Sequence, residues 1–414
     1  MRKILIMLAA LVSLPAFAAT HWVGGDISLL PDYEKAGAKY KTHEGKPIAD
    51  LLPFLHDEGM NAMRVRLFVD PDKYTGADKD PNACQTLEYI IPLCKRIKDD
   101  GFALMLDFHY SDTWADPAKQ WTPADWAGLT DEELYRKIYD YTSETLATLR
   151  GEGIVPDFIQ PGNEISYGML WGPYGTKNPR KTFMGSDANW DRLGRLLKEA
   201  IRACREQCPD AKIVIHTERV ANVAVQNNFY DRMRSLGIDY DIIGLSYYPY
   251  FHGDMSVLDK ALTSLEGRYP DKQIMIVETG YSYKWEVPGT DHDLSGKWPY
   301  SDAGQDAFAR DLVACLEAHS AVTGLFWWWM EYNAYGTSLS GWYNAPLFDS
   351  TTGRACSALK TICSFADTNA AIGDILYTPG ATGDDTWHDL HGRPVTHPTK
   401  GGIYIHNGQK VFVP

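Results

Sequence analysis

An α/β chain closed into a (β/α)8 barrel is the fold that the sequence predicts, on three observations. Eight short apolar runs alternate with helical stretches over residues 23–329, the pattern of a parallel sheet covered on its outer side. Eight such units are the number at which a parallel sheet closes on itself in the TIM barrel. No glycine-rich phosphate loop follows the first run, which argues against a doubly wound open sheet.

The runs are Val23–Ser28, Ala62–Val69, Ala103–Phe108, Phe158–Pro161, Lys212–Thr217, Ile242–Tyr247, Gln273–Glu278 and Gly324–Trp329. They are short and rich in β-branched residues, as buried strands are. Helical patterning separates them at Pro47–Glu58, Gln85–Asp100, Glu132–Gly151, Trp190–Cys208 and Gln305–His319. A last helix is expected from about Arg354, with the barrel spanning residues 19–365. The stretch Ala366–Asp384 is small, polar and glycine-bearing and reads as a linker. Beyond it, Asn407-Gly408 between alternating apolar residues signals a hairpin, so residues 366–414 are expected to form a linker and a small C-terminal β appendage or tail.

The chain opens with Met1-Arg2-Lys3, an apolar run to about Phe17, and Ala16-Phe17-Ala18. A positive start, a short apolar middle and small residues before the cut form a secretory signal peptide over residues 1–18. Export to the periplasm, cell surface or medium is therefore expected. The run is too short for a comfortable membrane span, and no other stretch is apolar enough for one. A net charge of −14 over 414 residues repels phosphate backbones and anionic glycans, so a neutral partner is expected and nucleic acid is not. Seven cysteines follow the leader, an odd count that leaves at least one free thiol. No C-x-x-C pair or zinc-ligand spacing occurs. A monomer is expected.

Polar and aromatic residues cluster just after the strands. Examples are Asp107-Phe-His-Tyr-Ser-Asp112, Pro161-Gly-Asn-Glu164, His216-Thr-Glu218, Ser246-Tyr-Tyr-Pro249, Glu278-Thr-Gly-Tyr281 and Trp327-Trp-Trp329. Barrel active sites sit at this end. Two carboxyls are prominent: Glu164 ends the fourth strand and Glu278 the seventh, and those strands face each other across an eight-stranded barrel. Cleavage of a glycosidic bond needs such a pair, one to protonate the leaving oxygen and one to attack, roughly 5–5.5 Å apart when configuration is retained. Arg66, or a tyrosine of Tyr247-Tyr248, is expected to keep Glu278 ionised at a low pKa. Glu164, facing that charge, is expected to be raised and protonated. Asn163 is placed to bind a sugar hydroxyl, and Trp114 and Trp328 to stack on sugar rings. Alternation within Trp327-Trp-Trp329 requires at least one of the three to be buried behind the barrel. His109 and His216 also end strands and read as hydrogen-bonding groups for sugar or carboxylate, since no H-x-H or H-E-x-x-H spacing occurs. Asp291-His292-Asp293 offers hard oxygen ligands to a structural Ca2+ through Asp291 and Asp293. Catalysis requires no cofactor.

Taken together, Gly24-Gly-Asp-Ile-Ser28, Asn61-Ala-Met-Arg-Val-Arg-Leu-Phe68, Asp107-Phe-His-Tyr-Ser-Asp-Thr-Trp-Ala-Asp-Pro-Ala-Lys-Gln120, Gln160-Pro-Gly-Asn-Glu164, Ser246-Tyr-Tyr-Pro249, Val277-Glu-Thr-Gly-Tyr281 and Ala345-Pro-Leu-Phe-Asp349 resemble glycoside hydrolase family 53. These are endo-β-1,4-galactanases acting on type I arabinogalactan, within the clan of retaining barrel hydrolases. The resemblance spans residues 24 to about 360. It implies Glu164 as proton donor and Glu278 as nucleophile, with Asp112, Trp114, Asn163 and Trp328 at the substrate. Arg66, His109, Asp116, His216 and Tyr248 complete the expected substrate site on a neutral β-linked polysaccharide. Two departures stand out. Where the family often carries Trp-Glu-Pro after strand eight, this chain has Trp328-Trp329-Met330. Where some bacterial members bind calcium through Asp-x-His-x-Asn, it has Asp291-His292-Asp293. The rival readings are a β-mannanase or β-glucanase of the same clan, and a non-catalytic glycan-binding barrel.

Overall fold

Side-chain alternation sets what each strand sends to the barrel axis. The strands are β1 (Trp22–Asp26), β2 (Ala62–Leu67), β3 (Ala103–Phe108), β4 (Phe158–Pro161), β5 (Lys212–Thr217), β6 (Ile242–Tyr247), β7 (Gln273–Thr279) and β8 (Val322–Trp327). The computed structural model describes residues 21–183, 186–284, 286–332, 345–373, 387–388, 394–395, 402–406 and 409–413. The leader at 1–18 and the Asn407-Gly408 turn lie outside these residues. All eight expected strands are present, each end within two residues of its expected place.

The strands close in sequence order, with β1 paired in parallel to both β2 and β8. Along β3, Leu104, Leu106 and Phe108 join the large outer core, while Ala103 and Met105 join a separate inner cluster with Ala62, Phe158, Val214, Ile242, Met275, Val277 and Phe326. Inward positions are thus apolar at the N-terminal end of the strands and become polar towards the other end, where Arg64, Arg66, Asp107, Gln160, His216 and Ser246 follow the same parity and are all buried. Gly24 fits one tight contact between β1 and β2: a Cβ there would lie 1.6 Å from the Ala62 carbonyl oxygen.

β7 breaks parity once. Leu245 of β6 pairs with Ile276, but Ser246 pairs with Glu278, so Val277 is an extra residue. The register with β8 slips over the same residues. This bulge turns Glu278 inward directly after the inward Val277, and re-aiming a side chain is a recognised use of bulges.

Around the barrel run α1 (Leu30–Ala36), α2 (Leu51–Asp57), α3 (Leu87–Asp99), α4 (Asp131–Gly151), α5 (Asp187–Gln207), α6 (Val223–Ser235), α7 (Pro249–His252), α8 (Met255–Arg268), α9 (Asp302–Glu317) and α10 (Ser357–Gly373). α4 starts one residue before its expected place because Thr130 and Glu133 form a reciprocal capping box. α10 continues through Ala366–Gly373, where the sequence reads as a linker. Three alanines favour extension of a helix that is already nucleated.

The chain divides into two compact units, His21–Asp367 and the remainder. Within the second, β9 (Trp387–His388), β10 (Pro394–Val395), β11 (Gly402–His406) and β12 (Gln409–Val413) form an antiparallel sheet in the order β10-β9-β11-β12. β11 and β12 flank Asn407-Gly408 as a hairpin requires.

Candidate active site

A cleft of about 460 Å³ opens at the C-terminal ends of the strands. Its walls include Trp114, Asp116, Asn163, Glu164, Tyr248, Glu278 and Trp328 from the expected set. Asp80, Ala115, Pro117, Lys119, Glu218, Phe251, His252 and Trp329 complete them.

Glu164 lies two residues after Gly162, whose φ of +110° suits glycine, and itself takes a left-handed conformation at φ 46°. For a non-glycine residue this costs about 1–3 kcal/mol and is typical of functional sites. The turn is held by the Gln120 amide, which donates to the Asn163 carbonyl at 2.7 Å, and by the Glu164 N–H, which donates to His216 Nδ1 at 3.3 Å. The Gln160 amide, at 3.2 Å, is a second donor facing Nδ1, so the tautomer that satisfies both donors carries its proton on Nε2, 2.8 Å from Ser246 Oγ. Ser246 then donates to Glu164 Oε1 at 2.6 Å. Burial and the nearby Arg64 hold His216 neutral, with its pKa well below the usual range.

Glu278 lies across the cleft, almost fully buried. Tyr248 donates its hydroxyl proton to Oε2 at 2.9 Å, and Arg64 Nη2 lies 3.0 Å from Oε1. The same Nη2 donates to Asp107 and to Asn163 Oδ1, each at 2.8 Å. The Asn163 amide donates to the Ala115 carbonyl at 2.8 Å, so Asn163 is fixed at both ends.

These surroundings separate the two carboxyls. Burial, then the Glu278 and Glu218 charges, pushes Glu164 well above the ordinary carboxylate range, against the pull of Ser246. Burial lifts Glu278 up to about 7 against the opposing Arg64 guanidinium. The expectation of a low pKa for Glu278 is thus corrected: complete burial, with Asp107 and Asp26 nearby, outweighs the cation. The order expected from sequence remains, because Glu278 has a guanidinium and a phenol as partners while Glu164 has one hydroxyl. The first proton resides on Glu164.

Arg66 requires a second correction. It pairs with Asp26 at 2.6 Å, and its guanidinium stacks behind Trp114, Trp328 and Trp329 at 4.8–5.2 Å from the ring centroids. Arg64 and Arg66 share inward parity, and the deeper Arg64 is the one that reaches Glu278. Arg66 instead backs the aromatic wall. Trp328 and Trp329 face the cleft, while Trp327 is buried outside the barrel against Phe308 of α9.

Three more expected contacts lie off the cleft wall. His109 Nδ1 accepts the Ala115 N–H at 3.0 Å and its Nε2 lies 3.1 Å from Asp107. Asp112 accepts the backbone N–H groups of Asp70 and Ala124 at 3.0 and 2.7 Å, tying two loops together. His216 lies beneath Glu164, as described above. Asp291 and Asp293 are exposed, and the Asp293 carboxylate caps the Ser295 N–H at 2.9 Å. Among the described residues, no cluster of three His, Cys, Asp or Glu ligands forms there.

Arg64, Ser246 and Glu218 were missed as site residues. Arg64 and Ser246 carry a sequence signal, since each has inward parity near the end of its strand. Glu218 was visible only as part of His216-Thr-Glu218. Its Oε1 accepts from Ser166 Oγ at 2.5 Å and lies 3.0 Å from Arg219 Nε.

A closed parallel barrel with a buried and a half-buried glutamate, electrostatically unequal, over one aromatic-walled mouth defines a barrel glycoside hydrolase. The comparison with known families agrees: the model described as glycosyl hydrolase family 53 matches residues 22–362, and the chain belongs to that family. Arabinogalactan endo-β-1,4-galactanase A of Aspergillus niger is 32% identical over 349 residues, covering 80% of this chain and 92% of that protein. The family 53 catalytic domain of Ignisphaera aggregans superposes with a TM-score of 0.71 at 33% identity, covering 86% of this chain and 98% of the other. A fungal β-1,4-galactanase structure gives 0.68 at 29% identity, with 83% and 99% covered.

Proposed function

We propose that this enzyme hydrolyses internal β-1,4 bonds of galactan and type I arabinogalactan with retention of configuration. One observation carries the chemistry: Glu164 and Glu278 line the same cleft, and only Glu278 has a cation and a phenol beside it. Glu278 attacks the anomeric carbon while Glu164 passes its proton to the leaving oxygen. Water then attacks the glycosyl–Glu278 ester as Glu164 takes a proton back, which frees the sugar and regenerates both groups. Ser246, oriented by His216, stabilises the Glu164 carboxylate after the first step. Tyr248 and Arg64 stabilise the Glu278 carboxylate before attack and as it leaves. Trp114 and Trp328 offer apolar faces to sugar rings. The substrate assignment is supported by the activity named for the Aspergillus niger relative. Export is supported by the first eighteen residues, with the C-terminal sheet as a separate appendage.

Product analysis on linear β-1,4-galactan tests the reading, with Glu164→Ala and Glu278→Ala as controls. Short galacto-oligosaccharides should appear early and vanish in each control. Cleavage of β-mannan or β-glucan with galactan left intact would retain the pair and reject the substrate. Binding without cleavage would identify a glycan-binding barrel.

A further inference from the structure

We propose that Asp259, Cys315 and His319 form a binding site for a divalent transition-metal ion, Zn2+, on the outer wall of the barrel between α8 and α9. One donor atom from each residue lies within 4.8 Å of the other two. His319 Nε2 is 3.2 Å from Asp259 Oδ1. On the other side of the ring, Nδ1 lies 2.9 Å from Glu266 Oε2, and Glu266 Oε1 accepts the Ala321 N–H at 2.8 Å. A carboxylate anchored behind Nδ1 keeps its proton there and presents the Nε2 lone pair to the cluster, the arrangement that typically stands behind metal-bound histidines. Asp259 and Glu266 lie on one face of α8, two turns apart. Cys315 lies in the last turn of α9 and His319 two residues beyond its end.

The donor set selects the ion. Thiolate and imidazole favour Zn2+ over Ca2+ or Mg2+, which prefer oxygen. Tetrahedral Zn2+ with ordinary bond lengths holds its donors about 3.3–3.8 Å apart, so small side-chain rotations close the site. Three protein ligands leave the fourth position to water. His319 is buried, Cys315 half-buried and Asp259 exposed, which gives the ion an entry path. A cysteine thiol is mostly protonated at neutral pH, so binding must expel its proton: Cys–SH plus Zn2+ gives Cys–S–Zn+ plus H+. α9 ends where the chain enters β8, at the face of the barrel opposite the cleft. In barrels that face serves stability and the opposite one chemistry, so the ion acts as a brace between α8 and the end of α9. The ligands come from α8, the last turn of α9 and the connection that follows it, and match no linear motif, which explains why sequence spacing did not reveal them.

The test uses the full chain after dialysis against a chelator. Co2+ should bind one per chain and produce a thiolate-to-cobalt charge-transfer band. Zn2+ calorimetry in buffers of different ionisation enthalpy should report release of about one proton. Cys315→Ser should abolish the band, and Asp259→Asn, at an exposed position, should weaken binding without unfolding risk. Glu266→Gln should weaken Zn2+ by about 10–100-fold. Zn2+ should raise Tm in the native chain and not in Cys315→Ser, while glycan hydrolysis is the same in both. Absence of the charge-transfer band, or equal Zn2+ affinity in Cys315→Ser, overturns the site and leaves an Asp259–His319–Glu266 hydrogen-bonded chain beside a bystander thiol.

Discussion

Tyr248→Phe isolates the electrostatic support of Glu278. The substitution removes one hydroxyl, whose proton is donated to Glu278 Oε2 at 2.9 Å, and keeps the ring that packs on Phe251. A buried hydrogen bond to a charged acceptor contributes about 1.5–3 kcal/mol. At about 1.4 kcal/mol per pH unit, its loss raises the Glu278 pKa by about 1–2 units. Glu278 acts as a carboxylate, so activity is lost as pH falls through its pKa. The acidic limb of kcat/KM should therefore move upward by about 1–2 units, and the basic limb should stay. The assay is kcat/KM on soluble β-1,4-galactan across pH, which reports the free enzyme's groups as apparent values of a coupled pair. An unmoved acidic limb, or movement confined to the basic limb, would refute the reasoning. It would mean that Tyr248 does not control the group that must be ionised.

Four further outcomes follow from the same geometry. Ser246→Ala removes the donor to Glu164, so the basic limb should rise by about one unit, seen in the same pH profiles. Arg64→Met leaves Asp26, Asp107 and Glu278 buried without their shared cation, and urea unfolding should show a loss of about 3–5 kcal/mol. Glu331, fully buried and bonded to the Leu29 N–H, is raised to about 8, chiefly by burial and then by Asp26. It holds a proton in the folded state that the unfolded chain releases above about pH 4.5, so stability should fall by up to about 1.4 kcal/mol per unit from there to about 8. Denaturation midpoints of Glu331→Gln should vary less over that window. Trp114→Ala should raise KM about tenfold with a smaller change in kcat, as the loss of about 1.4 kcal/mol of ring contact implies.

Strand positions were legible because strands buried on both faces read as short, nearly continuous apolar runs, and the barrel followed from counting eight. Both glutamates were legible as acidic residues at strand ends. Their surroundings were less so, because parity alone does not say how far along the axis a long side chain reaches. That is why Arg66 was named where Arg64 does the pairing. The bulge at Val277 was invisible as well: strict alternation from Met275 would turn Glu278 outward, and only the slipped pairing with Ser246 shows how it faces the cleft. Asp112 sits in a specific motif, yet its partners are two backbone N–H groups from distant loops, contacts that no local pattern encodes. The same holds for the low pKa expected of Glu278, since a neighbouring cation is visible in sequence and the depth of burial is not.

Azide rescue tests the roles of the two glutamates most directly, with an aryl β-galactobioside whose leaving group needs no protonation. In Glu164→Ala, the glycosyl–Glu278 ester still forms and azide takes the place of the activated water, so the product should be the β-azide. In Glu278→Ala, azide takes the place of the missing carboxylate in a single displacement, so the product should be the α-azide. The reverse assignment of anomers would exchange the two roles, and rescue of neither variant would contradict the proposed double displacement.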